Sequence, residues 1–421
     1  MKFNPRMLTA HVRELTAHFS VVVLSGARQV GKSTLLAHAF PDWDSVTFDP
    51  AQDIGNARHD PELFLNTHPG PAIFDEIQYA PELVPAIKRR VDANRAPGQY
   101  ILTGSQQWAV LQTASESLAG RAVFLELEGF SLAEMAHAVG TDESAPRPSW
   151  LQRYLDDPVA FTAAPADRLP ATAAPAGALY DTLFRGFLPQ ATQLPLKLLR
   201  RFHDSYISTY IERDVRLLAE VEDRQLFGRF TQLVAALTAQ EINHSQLGRE
   251  LGLSYKTAQR WLRILRDTFQ WMELPAFHTN AVKRASGKAK GHFADTGLAC
   301  ALQRISSPEA LGGHPLTGAL FESAVAAEIR KHMAVMDAPP RACHWRSYAG
   351  AEVDILLERD ETFYPIEVKL ASRPTRADAR GLRAWREAHP QLRTAPGLVI
   401  APAETQFQLT EQDWVLPWDA A

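Results

Sequence analysis

Cysteine is nearly absent: Cys300 and Cys343 are the only two in 421 residues. Two isolated thiols exclude a disulfide framework and a four-ligand zinc site, and they fit a reducing cytoplasm. Long apolar runs are missing too, since no stretch approaches the roughly 18 residues that a membrane helix needs. With apolar residues at 46% and charged residues at 22%, the composition is that of a soluble globular chain with no membrane segment. The opening run MKFNPRMLTAHVREL has no apolar signal core, so the chain is expected to stay in the cytoplasm where it is made. A general positive surplus is lacking as well. The formal net charge is −4, which argues against a nucleic-acid coat protein. Charge is nonetheless uneven: residues 190–300 carry 16 Lys or Arg against 11 Asp or Glu, whereas the remainder carries 28 against 37. Only the middle segment permits a basic face.

What is present begins with Gly26-Ala27-Arg28-Gln29-Val30-Gly31-Lys32-Ser33, set between the apolar run Val21 to Leu24 and the helix-compatible segment Thr34 to Phe40. This reads as a phosphate-binding P-loop. The glycines let the backbone curl so that successive amides face one anion, and Lys32 brings a mobile positive charge to the outer phosphates. Ser33 would hold Mg²⁺, and the helix N-terminus starting near Thr34 also faces the phosphates. Downstream, Pro71-Ala72-Ile73-Phe74-Asp75-Glu76 is an apolar strand ending in two acids. Strand-end carboxylates sit where ligands bind in such sheets, so Asp75 would complete the Mg²⁺ shell and Glu76 would orient the attacking water. A third strand, Tyr100-Ile101-Leu102-Thr103-Gly104-Ser105, ends in small hydroxyl residues, with Ser105 as the phosphate sensor. The expected ligands are ATP and Mg²⁺.

The length implies about two to four domains. Residues 1–136 alternate strand-like runs (VVVLSG, SVTF, PAIFDE, QYILTGS, AVFLELE) with helical patterns, which indicates an α/β layer with a parallel sheet and helices on both faces. Residues 137–179 are rich in Ala and Pro and read as a linker or irregular insertion outside the core. Residues 180–301 are helical. Within them EINHSQLGRELGLSYKTAQRWLRILRDTF, residues 241–269, reads as helix, tight turn, helix. Ser245 or Asn243 caps the first helix, Gly252 ends it and Ser254 caps the second. Leu247, Leu251, Ala258, Trp261, Leu262 and Leu265 form its core, leaving Lys256, Gln259, Arg260 and Arg263 outward as on a recognition helix. The basic stretch Lys283 to Lys290 would form a wing against phosphates, making DNA a partner; the other reading is a lid packed on the ATPase or a neighbouring subunit.

Residues 302–421 return to a helix followed by strands. In CHWRSYAGAEVDILLERDETFYPIEVKL, Glu367 and Lys369 share one strand face while Val368 points to the core, and Asp354 sits beside them across a hairpin. Glu322, from the preceding helix, adds a third carboxylate. Such a set suits Mg²⁺-assisted attack of water on a phosphodiester, with Asp354 and Glu367 as metal ligands and Lys369 steadying the charged transition state.

On GARQVGKST, IFDEIQ and ILTGSQ, in that order, the chain resembles AAA-type P-loop ATPases. With SLAGRAVFLELEGFSLAEM and FRGFLPQ, the resemblance narrows to prokaryotic ATPases that join an AAA module to a C-terminal domain of unknown function with a restriction-endonuclease-like core. It implies an ATPase, offers Arg121 of LAGR as an arginine finger or partner contact, and admits a homo-oligomer. The C-terminal cluster resembles the core of restriction-endonuclease-like nucleases, Holliday-junction resolvases among them, carried over as Glu322, Asp354, Glu367 and Lys369. Two functions are therefore expected: an ATPase whose nucleotide state governs a DNA-associated winged-helix and nuclease-like module, or a nucleotide-gated switch or assembly protein whose C-terminal domain binds a protein or DNA without cleaving.

Overall fold

The computed structural model describes residues 3–105, 118–136, 148–166, 169, 179–209, 221, 223–278 and 287–420. Two compact units emerge, one built on residues 1–130 and the other on residues 147–265 and 270–421.

The first unit is organised by β1 (Val21–Ser25), an apolar run buried on both faces, as the middle of a parallel sheet demands. With β2 (Asp44–Thr47), β3 (Ala72–Asp75), β4 (Tyr100–Gly104) and β5 (Ala122–Glu126) it forms a parallel five-stranded sheet in the order β2-β3-β4-β1-β5. All five strand-like runs of the sequence become strands. Helices α1 (Leu8–His18), α2 (Lys32–Ala39) and α3 (Leu83–Ala93) belong to the same unit, and Val23, Phe64, Phe74, Leu83 and Leu102 meet in its core. The strand order decides where a ligand can sit. The connection leaving β1 runs toward β2 on one side, and the connection leaving β4 runs toward β5 on the other. A crevice therefore opens beyond the carboxyl ends of the adjacent strands β1 and β4. Gly26–Ser33 and Thr103–Ser105 are the residues that border it.

The second unit begins with a correction. The Ala/Pro-rich segment is not wholly irregular: α4 (Trp150–Asp156) is capped by Ser149 and buries Trp150, Leu151, Tyr154 and Leu155. Four apolar residues at helical spacing outweigh the flanking prolines, and the Tyr154 hydroxyl donates to the Pro396 carbonyl at 2.7 Å. Further along the chain, after the helices Pro158–Ala163, Leu179–Arg185, Pro189–Gln193 and Leu196–Thr209, lie α5 (Arg224–Ala236), α6 (His244–Leu251) and α7 (Tyr255–Asp267). A small antiparallel sheet of β6 (Gln240–Glu241), β7 (Trp271–Leu274) and β8 (Lys290–Phe293) accompanies them in the order β6-β8-β7. The long α8 (Thr317–Met333) precedes a mixed sheet. Its strands β9 (Arg341–Arg346), β10 (Glu352–Arg359) and β11 (Thr362–Val368) form the expected antiparallel meander. Beyond it, β12 (Arg393–Thr394) and β13 (Gly397–Ala401) pair parallel to β11. Finally β15 (Asp413–Pro417) pairs parallel to β13 and antiparallel to β14 (Phe407–Gln408). Helix α9 (Arg380–Ala388) packs Leu382 and Trp385 into the core beside Trp345 and Phe363. Residues 270–421 fall together in this unit.

Candidate functional site

The loop after β1 is held in a conformation few sequences permit. Gly26 has φ +152°, and a Cβ there would fall 2.1 Å from the Leu127 carbonyl oxygen, so this position requires glycine. Gln29 and Gly31 also have positive φ, 60° and 97°, which turns the loop back on itself just before α2 starts at Lys32. Lys32 is buried, and its ammonium donates to the carbonyls of Gly26 and Ala27, each at 2.9 Å. The loop is braced from the N-terminal segment: the buried Arg6 guanidinium donates to the carbonyls of Val30 (2.7 Å), Glu128 (2.8 Å) and Gly129 (3.2 Å). Arg28 donates to the Tyr79 hydroxyl at 3.0 Å.

The strand-end acids stand against this loop. The Ser33 hydroxyl donates to Asp75 Oδ2 at 2.7 Å, and the hydroxyl of the fully buried Thr103 donates to Asp75 Oδ1. Glu76 lies in the left-handed region, φ 58°, and its amide donates to Thr103 Oγ1 at 3.3 Å. Gln78 donates from one side-chain nitrogen to Glu76 Oε2 and to Ser105 Oγ, the latter at 3.2 Å. A curled loop with an ammonium in it suits a polyphosphate, and a hydroxyl touching a carboxylate suits a hard divalent cation. Gln78, Tyr79 and Arg6 escaped the sequence reading, and Thr103 entered it only as one of the small hydroxyl residues ending a strand. Thr103 lay inside the quoted strand, but nothing in its local pattern distinguishes a hydroxyl aimed at Asp75 from a strand threonine. Arg121 makes a two-point pair with Asp92 (2.5 and 3.1 Å), so its guanidinium is engaged within its own unit.

In the second unit Glu322, Asp354, Glu367 and Lys369 come together, as their order in the chain suggested. Lys369 Nζ lies 2.5 Å from Glu367 Oε2 and 3.6 Å from Asp354 Oδ2, and Asp354 Oδ2 accepts from the Val368 amide at 3.0 Å. Glu367 is more deeply buried than Val368, so this strand end has no outward carboxylate face; α9 closes over it, a Cβ at Gly381 falling 2.0 Å from Glu367 Oε1. The larger correction concerns Lys290. Read as part of a wing against phosphates, it is instead buried, and its ammonium bridges Glu322 Oε1 (2.8 Å) and Asp354 Oδ1 (3.0 Å). Residues Lys283, Arg284, Ala285 and Ser286 of that stretch lie outside the described residues. Among the described residues, no three or more His, Cys, Asp or Glu side chains form a metal-holding group.

Electrostatics follow from this enclosure. Burial pushes the Glu322 carboxyl up to about 8, with Asp354 adding repulsion, and the same two causes raise Glu367 well above its ordinary 4.5. Burial would also raise Asp354, yet Lys290 and Lys369 outweigh it and lower its carboxyl to about 2. Burial would lower Lys290, yet Asp354 and Glu322 hold it above its ordinary value. A carboxyl whose folded value is raised stabilises the fold fully below its unfolded value and loses that contribution as pH rises through the folded one. The Asp354 contribution runs the other way but is lost only between 3.8 and about 2. Thermal stability is therefore expected to fall between pH 5 and pH 8 or so, and Glu322→Gln should flatten the slope; pH-resolved melting curves of parent and variant that superimpose would contradict this assignment.

The helix–turn–helix expected at 241–269 forms. Asn243 caps α6 by accepting from the amides of Ser245 and Gln246, Gly252 ends it at φ 67°, and Ser254 Oγ accepts from the Thr257 amide. Trp261 packs edge-on against Phe227 and Phe230, while Lys256, Gln259, Arg260 and Arg263 are exposed. The block FRGFLPQ proves to be a packing device: Asp295 accepts from the amides of Phe187 (2.7 Å) and Leu298 (2.9 Å), and a side chain at Gly186 would meet its carboxylate at 2.3 Å. A basic run went unread. From Lys369 to Arg386 six Lys or Arg face one Asp, and Arg373, Arg376, Arg380 and Arg383 are exposed.

Residues 18–136 match the AAA domain family model, and with the parallel sheet and the loop geometry this makes the first unit an AAA-type P-loop ATPase domain. That class binds and hydrolyses ATP, ordinarily with Mg²⁺. Residues 177–309 match a domain of unknown function (DUF8612) and residues 317–421 another (DUF4143). Uncharacterized proteins of Mycobacterium bovis and Mycobacterium tuberculosis are each 28% identical to this chain over 420 residues, covering 100% of it and 85% of their own length. Among solved structures, a Walker-type ATPase of Pyrococcus abyssi aligns over 72% of this chain and 96% of its own at 15% identity and TM-score 0.40. The RuvB Holliday junction branch migration motor of Thermotoga maritima aligns over 65% and 91% at 13% identity and TM-score 0.30. Among the described residues no helix is long and apolar enough to cross a membrane.

Proposed function

We propose that this protein binds ATP on Gly26 to Thr34, hydrolyses it with Glu76, and uses the nucleotide state to govern how its second unit engages DNA without cutting it. The observation that carries the ATPase reading is the Ser33–Asp75–Thr103 chain of hydrogen bonds beside the buried Lys32. Lys32 can exchange the carbonyls of Gly26 and Ala27 for phosphate oxygens, and the loop amides neutralise the remaining charge. Ser33 and Asp75 are the residues that would hold Mg²⁺, which would supply charge neutralisation to the phosphates. Glu76 follows Asp75 directly, and its amide contact with Thr103 fixes where its carboxylate stands for polarising water. Ser105 donates its hydroxyl hydrogen toward the terminal phosphate.

Two basic surfaces support DNA association: the exposed Lys256, Gln259, Arg260 and Arg263 on α7, and the arginines at 373, 376, 380 and 383. The second unit favours binding over cleavage for a specific reason. A metal-assisted nuclease needs carboxylates open to a cation, but Lys290 occupies Glu322 and Asp354 while Lys369 occupies Glu367. Glu322, Asp354, Glu367 and Lys369, together with Lys290, then act as a largely buried, ion-paired core.

The test measures phosphate release and duplex DNA binding by the intact chain with Mg²⁺. ATP turnover is expected, together with DNA binding that weakens steeply with salt and loses about two counterions' worth of salt dependence in the Arg260→Ala, Arg263→Ala variant. No phosphate release sinks the ATPase reading. A flat salt response sinks the DNA reading, and Mg²⁺-dependent cleavage abolished by Asp354→Ala would replace it with the nuclease.

A further inference from the structure

Gln78 bridges Glu76 and Ser105, the two groups read above as acting on the water and the terminal phosphate. It occupies the short turn Ile77–Tyr79 that follows Glu76, and its amide nitrogen donates both to Glu76 Oε2 and to Ser105 Oγ. The two contacts reach different strands, β3 through Glu76 and β4 through Ser105. The other end of the amide is constrained as well: Gln78 Oε1 is buried without a hydrogen-bond partner, and a Cβ on Gly104 would stand 3.0 Å from it. A side chain present only to fill space would not leave a buried carbonyl oxygen unsatisfied. The arrangement is retained where the nitrogen's two bonds are needed.

Their geometry links them. The two N–H bonds of an amide nitrogen lie in one plane at a fixed angle, so reorienting one reorients the other. Ser105, accepting from Gln78, keeps its own hydrogen to give to a phosphate oxygen. Once given, that hydrogen makes Ser105 Oγ a stronger acceptor through hydrogen-bond cooperativity, drawing the Gln78 amide toward β4. The Glu76 carboxylate, held by the second N–H, moves with it. Glu76 also sits in the left-handed region, where a non-glycine residue persists only if neighbours fix it, and Gln78 and Thr103 are the neighbours that do.

We propose that Gln78 is a positioning residue that couples the contact of Ser105 with the terminal phosphate to the placement of Glu76, so that water is activated only when a triphosphate is bound. This rests on the reading of Glu76 as the water-orienting group. No atom is transferred through Gln78; it shifts the position of a carboxylate.

The experiment compares ATP turnover and ATP affinity in Gln78→Ala, Gln78→Glu, Ser105→Ala and the Gln78→Ala, Ser105→Ala pair, each also in a Glu76→Gln background. Gln78→Ala should lower kcat by about 10- to 100-fold with Kd for ATP within about twofold. Gln78→Glu keeps the shape but puts a carboxylate where the donor was, so it should lose as much. The losses from Gln78→Ala and Ser105→Ala should fail to add, and Gln78→Ala should cost nothing further once Glu76 is Gln. Parental turnover in Gln78→Glu, or an undiminished Gln78→Ala loss in the Glu76→Gln background, overturns the coupling. If Glu76→Gln alone turns over at the parental rate, the reading beneath it fails instead, and the two failures are told apart by that single variant. A Gln78→Ala chain that melts early is set aside in favour of Gln78→Glu, which answers the question alone.

Discussion

Lys32→Ala is expected to weaken ATP binding by about 100-fold or more. An ammonium carries three donors, and two of them are engaged by the carbonyls of Gly26 and Ala27 at 2.9 Å, within the loop itself. Binding exchanges neutral acceptors for charged ones, and a hydrogen bond to a charged group contributes about 1.5–3 kcal/mol. Two such bonds come to about 3 kcal/mol at the least, and every 1.4 kcal/mol is tenfold. Lys32→Arg should not rescue, because a planar fork cannot follow a point charge into a buried site. Titration with a fluorescent ATP analogue, alongside melting curves to show that the fold survives, gives the answer. A loss of threefold or less would remove Lys32 from the phosphate site.

Glu76→Gln should leave ATP binding within a few-fold of the parent and lower kcat by about 10²–10³. The substitution keeps the side chain's length and its place beside Gln78 and Thr103, and removes only the capacity to polarise water. Affinity and rate are therefore predicted to separate, the signature of an interaction made in the transition state alone. Steady-state turnover with a parallel binding titration resolves the two. A variant that binds tenfold more weakly yet turns over at the parental rate would make Glu76 a ligand contact and return the water-orienting role to another group.

The nucleotide site was legible because its signals are local. Gly26, Gly31, Lys32 and Ser33 fall within eight consecutive residues, and Asp75 with Glu76 sits at the end of a strand that announces itself by the apolar run Ala72 to Phe74. Backbone geometry and a short run suffice to place such groups. What stayed hidden depends on partners distant in sequence. Lys290 sits in a basic stretch, which reads as a solvated face until Glu322 and Asp354, 32 and 64 residues on, are seen around it. Arg6 lies ahead of the first strand, and its acceptors are backbone carbonyls, which leave no trace in a side-chain pattern. Helix α4 was masked by composition: Trp150, Leu151, Tyr154 and Leu155 keep helical spacing inside a stretch whose prolines suggest otherwise. The strands after Arg393 are short and broken by Pro396 and Pro402, so their parallel pairing with β11 could not be foreseen.

Arg6 has a practical bearing on how the domain is cut. The family match opens at residue 18, the last residue of α1, and a fragment trimmed to that limit would begin without the guanidinium that ties Val30 to Glu128 and Gly129. Its nucleotide loop and the stretch leaving the sheet would then lose their common clasp, and the buried Val30 carbonyl and the half-buried carbonyls of Glu128 and Gly129 would face no donor from that side. The smallest piece of this chain that keeps the phosphate loop in shape is longer than its sequence homology, and its true edge lies among the first half-dozen residues.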